Sequence, residues 1–201
     1  MKKITIFTIA FIVINASAGI PIKYPFTNAL ETVYINSGKH LLRIDINHMG
    51  EFVVEDGTEV IGEFAANGCG EITSLIIPDS VTNIMTFAFY SCRSLTNVVF
   101  GSGLREIGEM AFGNCYNLEH VELPDSLETL GEYAFMANKL KVMKIGSGLK
   151  NLKKSTITGK DLFSIATNLQ FVTISPSNQW LQVENGKVER KKNGEGAIPR
   201  P

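Results

Sequence analysis

The chain has 201 residues, 44% of them hydrophobic and 19% charged, with a formal net charge of −1. That balance excludes a disordered chain, which lacks apolar surface to bury, and a chain drawn to nucleic acid by overall charge. Three cysteines and three histidines leave little material for metal or thiol chemistry, while 18 glycines point to many turns.

In chain order, Met1-Lys2-Lys3, the apolar run Ile4 to Ile14 and Asn15-Ala16-Ser17-Ala18 read as a secretory signal peptide, residues 1–18. The run falls short of the ~20 apolar residues that cross a bilayer, so the expectation is an exported chain that is not membrane-spanning after cleavage. Residues 19–48 form an N-terminal extension and cap, in which Tyr34-Ile35, Asn36-Ser37-Gly38 and Leu41 to Ile46 spell a hairpin. Residues 49–175 are organised by a period of 23, marked by Cys69, Cys92 and Cys115. The same frame surrounds each: Ile61-Gly62 with Ala65, Ile84 with Ala88-Phe89, and Ile107-Gly108 with Ala111-Phe112. A fourth copy has Leu130-Gly131, Ala134-Phe135 and Asn138 in the cysteine place. The copies run 49–71, 72–94, 95–117, 118–139 and 140–168, with a last strand near 169–175; the fifth is stretched by a polar segment around Ser155 to Asp161. Residues 176–201 form a C-terminal cap and tail, with a second hairpin turning at Asn185-Gly186.

Each copy opens on a short alternating strand, such as Leu75-Ile76-Ile77, Val98-Val99-Phe100 or Val121-Glu122-Leu123. Alternate residues share a face. The inward series stays apolar, while the outward series Val53, Ile76, Val99, Glu122, Lys144, Thr173 drifts from apolar to polar. The spacing of Ile107, Ala111 and Cys115 at i, i+4 and i+8 predicts a short helical turn packed back on the sheet. Pro78, Pro124, Gly101-Ser102-Gly103 and Gly146-Ser147-Gly148 supply the corners. No single copy can bury its own apolar face, so the copies stack into an α/β repeat solenoid. Its expected form is one parallel sheet of six strands on one face, short helical turns on the other and hairpin-like caps.

The frame spelled by Leu118, Val121, Leu123-Pro124-Asp125-Ser126-Leu127, Leu130-Gly131 and Ala134-Phe135 closely resembles the BspA-like, treponemal-type leucine-rich repeat. The resemblance covers about 49 to 175 in four to five copies. It departs at Ala66, which replaces the repeat phenylalanine, at Met85, which replaces the glycine after Ile84, and in the fifth copy, which loses Ala-Phe. The resemblance implies a curved solenoid and a secreted or surface protein of adhesin type, with no catalytic residues to carry over.

Candidate chemistry is sparse. The three cysteines share one register position on the inward stripe and are expected to be buried, reduced fillers. The Gly-Ser-Gly triplets lack the third glycine of a dinucleotide loop, since Glu106 and Asn151 stand in its place. No His, Cys or acidic spacing suggests a metal, a cofactor or a catalytic base. Partner binding is therefore assigned to the outward face, through Val53, Ile76, Val99, Glu122, Lys144 and Thr173 with flanking His120 and Phe171. The partner class is a protein or a matrix or host component, or a glycan, and nucleic acid is excluded. Two alternatives remain at this stage: a self-associating structural surface protein, and a binder of anionic glycan or lipid. The second would use the basic band of Lys139, Lys141, Lys144, Lys150, Lys153, Lys154 and Lys160, which follows an acidic stretch.

Overall fold

In a computed structural model, residues 32–152, 171–184 and 187–191 are described. The expected signal peptide, residues 19–31 of the N-terminal extension, the polar segment of the fifth copy and the tail lie outside them. The chain opens with β1 (Val33–Ile35) and β2 (His40–Arg43). It continues through β3 (Gly50–Val53), β4 (Val60–Ile61), β5 (Ile72–Ile76), β6 (Asn83–Ile84) and β7 (Asn97–Val99). Then come β8 (Glu106–Ile107), β9 (His120–Leu123), β10 (Thr129–Leu130), β11 (Val142–Ile145), β12 (Asn151–Leu152) and β13 (Phe171–Ile174). The last two are β14 (Leu181–Glu184) and β15 (Lys187–Arg190).

Each coil passes through an outer strand, a corner, a two-residue strand and a run of turns. The outer strands pair in parallel as β3-β5-β7 and β9-β11-β13, two three-stranded sheets rather than the single sheet of six strands that the spacing predicts. The register steps by one coil at each pairing, Val53 to Ile76 to Val99 and Glu122 to Lys144 to Thr173. The two-residue strands build a second sheet, ordered β1-β2-β4-β6-β8-β10-β12, in which β1 and β2 form an antiparallel hairpin. Asn36, Ser37 and Gly38 hold positive φ of 53°, 57° and 94° in the four-residue loop between the paired Ile35 and His40, and Gly38 N closes the turn on Ile35 O at 3.1 Å. At the other end β14 and β15 pair antiparallel.

The helical turns expected behind the sheet do not form: no helix occurs among the described residues. Two positions per coil hold a left-handed backbone instead. One is the column Phe64, Phe87, Met110, Tyr133 at φ of 49–57°; the other is Gly68, Ser91, Asn114, Ala137 at 57–80°. A left-handed residue every fourth place breaks any right-handed helix. The hydrogen bonds explain what replaces it. Alternate N–H groups bond three residues back, as Gly113 N does to Met110 O at 2.9 Å, and the ones between donate to the next coil. Met110, Phe112 and Asn114 donate in this way to Glu132, Ala134 and Met136 at 2.8–2.9 Å. The backbone is thus satisfied between coils, where an α-helix would satisfy it within one. Ile107, Ala111 and Cys115 are fully buried, as their spacing requires, on a stack of turns.

The core is a set of columns running along the stack. Leu75, Val98, Val121 and Met143 line the inner side of the outer strands, and Ile61, Ile84, Ile107 and Leu130 line the short ones. Phe89, Phe112 and Phe135 stack ring on ring at 5.1 and 5.4 Å, nearly parallel, with Phe100 edge-on to Phe112 at 5.6 Å. Each full burial of such a ring contributes about 1.5–3 kcal/mol before entropy is counted.

The corners alternate for a steric reason. A side chain built on Gly101 or Gly103 would lie 2.3 Å or 2.0 Å from the carbonyl oxygens of Pro78 and Asp79, one coil earlier. Gly146 and Gly148 meet Pro124 and Asp125 at 2.5 and 2.2 Å. A proline corner therefore needs a glycine corner above it. Asp79 and Asp125 complete the joint by accepting from Ser102 N and Ser147 N at 2.6 Å, which holds the Asp79 carboxyl below its ordinary value.

Candidate functional site

The outward face of the outer strands carries the residues assigned to partner binding, in two rows. One row is Val53, Ile76, Val99 and then Glu122, Lys144, Thr173; the other is Glu51, Ser74, Asn97 and then His120, Val142, Phe171. The pleat sends each of these away from the core, whose inward neighbours Phe52, Leu75, Val98, Val121 and Met143 are buried. Val53 is 54% exposed, Val99 50% and Phe171 63%, large values for apolar side chains. Ile76 is half-buried between its neighbours, while Glu122, Lys144, Thr173 and His120 are exposed.

The apolar residues fall into two groups on this face. Val53, Ile76 and Val99 form a ladder at one end, and Val142 lies beside Phe171 at the other. Polar pairs fill the remaining corners: Asn97 donates to Ser74 at 3.3 Å, and Lys144 to Glu122 at 3.1 Å. Beyond the ends of β9, β11 and β13, the corners Pro124, Gly146 and Pro176 leave a shallow hollow of about 430 Å³. Its walls include Glu122, Asp125, Lys144 and Thr173. Sequence reading gave Pro124 only the part of a corner and assigned no binding role to Pro124, Asp125 or Pro176, although the alternation of Pro and Gly corners is the signal that marks the hollow.

Three lysines of the basic band pair with glutamates of the preceding coil. Lys141 pairs with Glu119 at 2.7 Å, Lys144 with Glu122 at 3.1 Å and Lys150 with Glu128 at 2.6 Å. Glu128 also takes Arg105 at 2.9 Å. The lysine beside Glu119, and the lysine and arginine beside Glu128, hold both carboxyls below their ordinary value. Stacking thus places Glu119, Glu122 and Glu128 one coil behind Lys141, Lys144 and Lys150 and pairs them. Lys139 is exposed. Lys153, Lys154 and Lys160 lie outside the described residues.

Cys69, Cys92 and Cys115 are free thiols with at most 1% exposure. Cys92 and Cys115 each donate to a carbonyl one coil back, Ala66 O and Phe89 O, at 3.3 Å. Burial pushes Cys69 up to about 11 and Cys115 up to about 12, and raises Cys92 as well. Such thiols stay protonated and unreactive at neutral pH. Among the described residues no group of three His, Cys, Asp or Glu is placed to hold a metal ion.

Residues 59–182 match the BspA type leucine rich repeat region in six copies. A leucine rich cell surface protein from Faecalibacterium prausnitzii is 25% identical over 74% of this chain and 38% of its own, with a TM-score of 0.65. The pneumococcal vaccine antigen PcpA superimposes over 73% of this chain and 36% of its own at a TM-score of 0.64 and 19% identity. A leucine-rich repeat protein from Eubacterium ventriosum does so over 70% and 36% at 0.62 and 24%. The chain therefore spans little more than a third of the length of these structures. No curated protein matches it. The 23-residue register, the buried columns and a family match over residues 59–182 agree, and the chain belongs to the BspA type leucine-rich repeat family.

Proposed function

We propose that this chain is a secreted or cell-surface, non-enzymatic repeat protein that binds another protein through its outward sheet face, in the manner of an adhesin. The observation that carries the reading is the ladder of Val53, Ile76 and Val99, apolar side chains in register on a solvent-facing sheet. Contiguous exposed apolar surface of this kind marks interaction sites. The signal peptide read at residues 1–18 and the surface location named for the Faecalibacterium prausnitzii relative support the compartment. The partner class is a protein of the matrix or of a host surface, and no cofactor takes part.

The test is capture of partners from the native environment by the mature chain, beside a variant carrying Ile76→Glu with Val99→Glu. The variant is expected to fold, because both side chains lie on the face away from the core, Val99 exposed and Ile76 half-buried, and a matched thermal melt checks this. Loss of the captured partner in the variant supports the reading. A partner retained by the variant excludes this face.

A further inference from the structure

Coil-to-coil hydrogen bonding of the outer strands fails at one junction. A strand is entered with a backbone bond to the coil before it, as Thr96 N to Thr73 O at 2.9 Å and Lys141 N to Glu119 O at 2.8 Å. It is left with a bond to the coil after it, as Val54 N to Ile76 O at 3.0 Å and Ile77 N to Val99 O at 2.9 Å. The equivalents between β7 and β9 are Glu119 N to Thr96 O and Phe100 N to Glu122 O. Neither forms, and β7 and β9 lie side by side without pairing.

The same two coils are joined tightly on their other sides. Glu106 pairs with Thr129 and Ile107 with Leu130, and Gly131 N donates to Ile107 O at 2.8 Å. Gly131 packs so close that a side chain there would lie 2.5 Å from the backbone of Gly108 and Glu109. The turn ladder and the Phe112–Phe135 stack continue without a break.

We propose that this junction is a hinge, at which the halves of the outward face swing about the β8–β10 side and open or close the gap between β7 and β9. Bending the outward face at any other step breaks paired ladder bonds, whereas here the strands are unpaired and the entering and leaving bonds are absent. Small-angle motion concentrates where closure is least bonded and the opposite side is most constrained. The hinge also lies where the outward row changes from Val99 to Glu122, so it sets the spacing of the apolar and charged halves.

Amide hydrogen exchange on the full chain tests the bonding. Phe100 and Glu119 are expected to exchange about tenfold faster than Ile77 and Lys141, with Gly131 as protected as Gly108. Equal protection of the two pairs overturns the proposal, because the sheet is then continuous. Equally fast exchange at Gly131 overturns it too, because the whole junction then frays. Motion is read by spin labels on Asn97→Cys with His120→Cys, against Ser74→Cys with Asn97→Cys inside one half. The buried native thiols do not take the label. A broader distance distribution across the junction supports the hinge. A distribution as narrow as the control's shows a fixed gap and overturns it.

Discussion

The sheet of β3, β5 and β7 and the sheet of β9, β11 and β13 are cut from one repeat frame, yet they turn opposite chemistry outward. The first shows Val53, Ile76 and Val99 to solvent, and the second shows Glu122, Lys144 and Thr173. Inward they are interchangeable, Leu75 and Val98 against Val121 and Met143. An inward residue is core for its own coil and for both neighbours, so its size and polarity are constrained from three directions. An outward residue meets only the equivalent residue of the next coil. The face is therefore where this chain is free to differ from one coil to the next.

The sharpest way to break the common frame is Phe112→Ala. It removes the central ring of a stack that joins Phe89 on one side of the divide to Phe135 on the other. A loss of about 3–5 kcal/mol in denaturant unfolding is expected, with both halves losing protection together. Corner substitutions come next and compare the halves directly. Gly103→Ala and Gly148→Ala both drive a methyl group into the carbonyl below, and each is expected to cost about 3 kcal/mol. Gly70→Ala is the control, since its nearest neighbour would be at an ordinary 3.8 Å and its backbone is not left-handed. Its melting point is expected to stay level or rise slightly.

The cysteine column distinguishes burial from reactivity. The native thiols are held above their ordinary value of 9.0, so the unfolded chain releases protons first as pH rises. Stability is unaffected below that value and falls between it and the native values of about 11 for Cys69 and about 12 for Cys115. The decline is at most about 1.4 kcal/mol per pH unit for each thiol. Denaturation at pH 8 and pH 10, with Cys115→Ala as the flatter comparison, checks the slope. The smallest effect belongs to the charged half. Lys144→Ala exposes Glu122 without opening the core, and its melt is expected to match the parent within experimental scatter, since exposed ion pairs contribute little.

Much of the fold is legible in the residues because a repeat states each constraint several times. The register of Val53, Ile76 and Val99 follows from alternation alone, and the coincidence of three cysteines at one position announces their burial. The turn side was not legible. Ile107, Ala111 and Cys115 have the spacing of a helical stripe, but Met110 and Asn114 adopt left-handed backbone so that alternate N–H groups reach the next coil. Spacing within one copy cannot distinguish bonds made inside a coil from bonds made between coils. The pairing of Lys141, Lys144 and Lys150 with glutamates one coil back was hidden for the same reason, since 22 residues of chain separate Lys144 from Glu122.

Asn178 shows the same limit at the C-terminal end. Its buried side chain donates to Gly146 O at 2.9 Å and Leu149 O at 3.2 Å and accepts from Trp180 N and Leu181 N at 2.9 Å. Four backbone groups converge on one amide, and nothing in the local sequence marks it.

The sequence by itself determined the period, the inward columns, the alternation of proline and glycine corners and the drift of the outward row. These are properties of one copy repeated, and periodic burial writes them into composition and spacing. Tertiary structure decided the rest: a second sheet and stacked turns in place of helices, the pairing of Lys141, Lys144 and Lys150 with glutamates of the coil before, and the unpaired step between β7 and β9. Each depends on how a backbone or a charge meets the next coil. Those meetings are set by stacking distance and angle, which no single copy contains.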